Sequence, residues 1–132
     1  MGMLRRINPL WPLRIGLGLM YLYSGIGFLR NPLDWQGFLP TWFAAVVERV
    51  IPLSAYLAFQ GIGELALAAV FLGWFLPLMA VRIAAVAAAL EFAGILLFTG
   101  LDLITFRDIG LLGAAIALVL LAAPRRSGDN AT

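Results

Sequence analysis

The sequence predicts an all-α fold: a four-transmembrane-helix bundle with a short amphipathic interfacial helix between spans one and two. Three observations predict it. Hydrophobic residues make up 63% of the 132 residues, well above the roughly 45 to 50% of soluble folds. Long apolar stretches are interrupted by single charges rather than by polar faces, and proline, glycine and arginine mark their ends. The length allows one membrane domain, residues 1–124, and a short polar tail, residues 125–132.

The first span covers residues 12–30, preceded by Arg5 and Arg6 and followed by Asn31 and Pro32. It has the apolar character of a signal peptide, but no small-x-small cleavage site follows Tyr23 and Arg30 flanks its far end, so it is read as retained. Residues 51–101 carry only Glu64, Arg82 and Glu91 as charges. At about 1.5 Å per residue that stretch is too long for one crossing of a hydrocarbon core about 30 Å thick. Gly73, Trp74 and Pro77 divide it, giving a second span over 53–74 and a third over 78–101. The fourth covers 106–123. In residues 34–52, Trp35, Phe38, Trp42, Phe43, Val46 and Val50 recur at helical spacings, which marks a helix lying on the membrane or capping the bundle.

Arginine placement sets the direction. Arg5, Arg6, Arg14, Arg82, Arg125 and Arg126 fall on one side, and Arg30, Arg49 and Arg107 on the other, offset by Asp34, Glu48, Asp102 and Asp108. The excess puts both termini in the cytoplasm. Trp11 and Trp74 then lie at the inner interface, with Trp35 and Trp42 at the outer one.

Helices in lipid associate through small residues and interhelical hydrogen bonds. Ala85, Ala89 and Ala93 in span three, and Gly110 with Ala114 and Gly113 with Ala117 in span four, are read as packing faces. Tyr23-Ser24-Gly25-Ile26-Gly27 is echoed by Phe59-Gln60-Gly61-Ile62-Gly63. An inverted repeat, or simply glycine-mediated approach of spans one and two, would produce these letters.

Glu64 and Glu91 stand near the centres of spans two and three. A carboxylate at the bilayer midplane costs roughly 2.5 to 3.5 kcal/mol, so two at one depth must share a site, hold a proton or find polar partners. Tyr21 and Ser24 on span one and Gln60 on span two lie at or just outward of that level. The expected site is a small cavity reached from the periplasmic side, floored by Glu64 and Glu91 and walled by Tyr21, Ser24 and Gln60. The alternative is interhelical hydrogen bonding of purely structural value. Arg14 and Arg82, further inward, either snorkel to headgroups, pair with the glutamates or hold an anionic lipid headgroup.

The chain has no cysteine and no histidine, and all nine basic residues are arginine. Thiol relays, haem histidine ligation and the common zinc and copper sites are therefore excluded, and no metal site is expected. The charges follow topology and form no basic face, so nucleic acid is not an expected partner. No nucleophile–base pair or cofactor motif appears, which argues against an enzyme and leaves no catalytic residue to name.

The order Arg14-Ile15-Gly16-Leu17-Gly18, Ser24-Gly25-Ile26-Gly27-Phe28-Leu29 with Asn31-Pro32, Phe38-Leu39-Pro40, Gly61-Ile62-Gly63-Glu64-Leu65, Leu72-Gly73, Arg82 and Phe106-Arg107-Asp108-Ile109-Gly110 resembles the DoxX family of small four-helix bacterial membrane proteins, including the DoxD-like subunits. The resemblance covers about residues 14–121 and places Arg14, Gly25, Glu64 and Arg82 at the polar and glycine positions of the family pattern. It departs where Phe28-Leu29-Arg30 replaces a lysine-containing turn. It implies an accessory or assembly subunit of a membrane redox or electron-transfer complex, close to quinone, with lipids and other membrane subunits as partners. Quinone or lipid are the small molecules left open, and a homo-oligomer is equally open. The alternative function is a small proton-coupled carrier or channel using the glutamate pair.

Overall fold

The computed structural model describes residues 7–124. Its regular structure is helical: α1 (Leu10–Arg30), a 3₁₀ helix (Pro32–Phe38), α2 (Thr41–Glu48), α3 (Leu53–Leu72), α4 (Leu78–Phe98), a 3₁₀ turn (Thr105–Arg107) and α5 (Asp108–Leu121). Arg5, Arg6, Arg125, Arg126 and the polar tail lie outside the described residues.

Prolines start four of the five α-helices. Pro9, Pro40, Pro52 and Pro77 immediately precede α1, α2, α3 and α4. A proline ring disfavours helical backbone in the residue before it, so a helix cannot extend backward past that point. The proline carbonyl remains available and accepts the first bond of the new helix, as from Ala44 to Pro40 (3.0 Å) and Tyr56 to Pro52 (3.2 Å). Asn8 adds a side-chain cap to α1, its Oδ1 accepting the Leu10 N–H at 3.0 Å. At the far end of α4, Gly100 takes φ +84°, the left-handed conformation that ends many helices and that glycine adopts without strain.

α1, α3 and α4, at 21, 20 and 21 residues, are long and apolar enough to cross a membrane. α5 has 14 residues, about 21 Å, short of a hydrocarbon core about 30 Å thick. The sequence places its start near Phe106; the chain instead makes a 3₁₀ turn there and becomes α-helical at Asp108. The interfacial segment also differs from expectation. Two pieces replace a single helix, because Pro40 holds Leu39 extended (φ −102°, ψ 139°) between the 3₁₀ helix and α2.

α1 packs chiefly on α3, and α4 on α5; lighter contacts of α1 with α5 and of α3 with α4 close the ring. The half of the bundle nearest the start of α1 is filled by Leu17, Tyr21, Phe71, Val81, Ala85 and Leu118. A second cluster, Phe28, Leu53 and Leu57, lies under Trp35, Leu39, Ala44 and Val47 and holds the 3₁₀ helix and α2 over the opposite end. Around the outside, Leu19, Phe59, Ile83, Leu97 and Leu120 are exposed, a surface suited to hydrocarbon rather than water.

One expected packing feature is corrected. No neighbour lies within 4 Å of a Cβ built on Gly110 or Gly113, so neither makes a close helix contact; Gly110 borders a cavity, and the buried stripe of α5 is Asp108, Ala115 and Leu118. Trp35, placed by the sequence at the outer interface, is half-buried in packing. Its ring stacks on Phe28 and Phe38, with centroids 4.8 and 5.6 Å away, and lies against Gly27, where any Cβ would collide with it.

Candidate functional site

Close approach of α1 and α3 creates the site. Gly25 and Gly61 meet backbone to backbone, and this brings Ser24 on α1 beside Glu64 on α3. The Ser24 hydroxyl donates a short hydrogen bond to Glu64 Oε2 and lies 3.2 Å from the Tyr21 carbonyl oxygen. Glu64 is 4% exposed. Glu91 of α4 borders the same cavity as Glu64.

From this level a cavity of about 850 Å³ runs toward the end covered by α2. That volume is within the roughly 300 to 1,000 Å³ typical of small-molecule sites. Ser24, Gln60, Glu64 and Glu91 line it, as does Asp108. Its walls are mostly apolar and aromatic, contributed by Trp35, Trp42, Phe43, Tyr56 and Phe92 among others. The core beneath, around Tyr21 and Phe71, is packed. Two contacts tie the covering segment to α4: Thr99 Oγ1 donates to the Phe38 carbonyl at 2.9 Å, and the Trp42 ring meets Phe98 edge-on at 6.3 Å.

Of the residues expected at the site, Ser24, Gln60, Glu64 and Glu91 come together. Tyr21 does not line the cavity. Its ring is fully buried between Phe71 and Phe92, centroids 5.9 Å from each, and its hydroxyl has no hydrogen-bond partner among the described residues. Arg14 neither snorkels nor pairs with a glutamate. Its Nε donates to Phe71 O at 2.8 Å, and its Nη2 donates to Gly73 O at 2.7 Å and Val70 O at 3.3 Å, while its guanidinium lies over the Trp11 ring. It caps the end of α3, where backbone carbonyls lack intrahelical partners. Arg82 is half-buried in the first turns of α4 and does not line the cavity.

Sequence reasoning missed Asp108, treating it as a flanking charge. It is 5% exposed and borders the cavity, and its Oδ2 accepts no hydrogen bond among the described residues. A signal existed: Asp108, Ala115, Leu118 and Ala122 follow helical spacing, so the acid begins the inward stripe of α5. Among the described residues no acidic cluster has the arrangement of a metal site.

What the arrangement can do chemically follows from these groups. Carboxyl groups on one cavity can take up and release protons, and the serine and amide can orient a polar head, while the aromatic walls exclude water from an apolar body. No protein-family model, curated protein or solved structure matches the chain.

Proposed function

We propose that the protein is a DoxX-type subunit of the bacterial inner membrane that holds a small, mainly apolar molecule in its interior and serves a larger membrane redox complex. In this reading the bundle crosses four times, α5 and its preceding turn making the fourth crossing in a locally thinned bilayer, with both termini in the cytoplasm. The cavity carries the proposal: it is lined mainly by apolar and aromatic side chains with a few acidic and amide groups among them, unlike a bundle packed solid. The ordered sequence motifs supply the family and the redox setting.

Purification in mild detergent followed by native mass spectrometry tests it. The expected result is a retained small molecule, lost when Phe92 or Glu64 is replaced, together with copurified membrane subunits. Ligand-free protein that copurifies with nothing would overturn it.

A second reading, a proton-coupled carrier, is favoured by the placement of Glu64 and Glu91 on one cavity. In liposomes such a carrier loses pH-driven flux when both glutamates become glutamine. A docking subunit keeps its partner in the same variant.

A further inference from the structure

The geometry points to an organic cation as the ligand: a protonated amine or an onium ion with an apolar body, its charge held among Asp108, Glu64 and Glu91 and its body against the aromatic walls. This deepens, and rests on, the reading of the cavity as a small-molecule site.

Among the described residues three carboxyl groups border the cavity, and no buried basic side chain does. The chain has no lysine or histidine. Arg14 is spent on the carbonyls of Phe71, Val70 and Gly73. Arg107 borders the cavity but is exposed, where water and ions screen it. Among the described residues the three acids therefore face one basic group, the exposed Arg107 next to Asp108, so acidic groups outnumber basic ones in the site. Asp108 supplies a second indication: its side chain is 5% exposed and borders the cavity, and its Oδ2 accepts no hydrogen bond among the described residues. Oδ2 itself has no accessible surface, so a cationic centre in the cavity would stabilise this carboxylate through its field rather than by direct contact with that atom.

The walls suit the same class. Trp35, Trp42, Phe43, Tyr56 and Phe92 border the cavity, and aromatic faces attract cations through the ring quadrupole, most strongly when water is excluded. A neutral quinone uses the rings but carries no positive charge to set against the carboxyl groups.

Tetraphenylphosphonium and tetraphenylborate, alike in shape and opposite in charge, provide the test, with decylubiquinone as the neutral probe. Binding to the full chain in detergent is measured by equilibrium dialysis, with protein-free micelles subtracted. The expected result is saturable phosphonium binding at least tenfold tighter than borate or quinone. Asp108→Asn lowers that affinity tenfold or more, and Glu48→Gln, outside the cavity, leaves it unchanged. Should Asp108→Asn fail to fold, Glu91→Gln carries the same expectation. Binding of borate or quinone as tight as the phosphonium overturns the cation assignment while leaving the cavity a ligand site. Phosphonium binding indifferent to both substitutions overturns it as well. Absence of binding by all three probes overturns the ligand-site reading and this inference together.

Discussion

Gly25 of α1 and Gly61 of α3 face each other across the closest helix contact, a Cβ built on either falling 3.1 or 3.0 Å from the other's carbonyl oxygen. The same Cβ atoms would lie 2.7 Å from Leu65 Cγ and 2.6 Å from Phe28 Cβ. Phe28 Cβ is fixed to its helix and cannot swing away. Gly61→Ala should therefore separate the helices, at a cost of about 1–3 kcal/mol from overpacking. Gly63, two residues on, meets nothing within 4 Å. Gly63→Ala should be neutral, or stabilise by up to about 1 kcal/mol through helix propensity. Thermal unfolding of both variants in one detergent checks the pair; equal effects would remove the close contact as the cause.

The hydrogen bond from Ser24 to Glu64 joins the two helices inside the polar site. Ser24→Ala leaves a buried acceptor short of a donor and should cost about 1–3 kcal/mol. Glu64→Gln keeps an acceptor for the serine hydroxyl and should cost less. If Ser24→Ala and Glu64→Gln together cost the sum of the single changes, the two side chains are not coupled.

Arg14 satisfies three carbonyls at the end of α3 from within α1. Hydrogen bonds from charged donors contribute about 1.5–3 kcal/mol, so Arg14→Leu should lower stability more than any glycine change above. Arg14→Lys keeps the charge but lacks the planar fork that reaches separate acceptors, and should recover only part of the loss. Full recovery by lysine would mean that charge, rather than geometry, is what α3 requires. The readout is the melting midpoint of each variant against the unchanged chain.

Much of this was legible in the sequence for a physical reason. Prolines and apolar runs act locally, so the starts of α3 and α4 after Pro52 and Pro77 could be read directly. Glu64 and Glu91 announced themselves because a charge among apolar neighbours is conspicuous. Facing direction was harder. Small residues look alike whether they face a helix or lipid, which is why Gly61 packs and Gly113 does not. Asp108 looked like an interfacial charge because its burial depends on the turn at Thr105–Arg107, which aims the start of α5 inward. Arg14 could be placed at the right depth, but its acceptors lie 56 to 59 residues away, beyond any local pattern.

The turn before α5 should respond to acid. Asp102 Oδ1 accepts the N–H groups of Ile104 and Thr105, each at 2.7 Å, and Thr105 Oγ1 donates to Gly100 O at 2.6 Å. The backbone N–H groups of Thr105 and Ile104 hold the Asp102 carboxyl below the ordinary aspartate range. Because the folded value is the lower one, the contribution of Asp102 is complete above the unfolded value of about 3.9 and is lost as pH falls through the folded value. Hydrogen exchange at Ile104 and Thr105, corrected for intrinsic rate, should show protection near about pH 6 that declines toward about pH 2. Asp102→Ala should abolish that pH dependence, and Asp102→Asn, which keeps an acceptor without the charge, should leave weaker protection that no longer varies. Unchanged protection in Asp102→Ala would show that Thr105 holds the turn by itself, and the orientation of Asp108 toward the cavity would then not depend on Asp102.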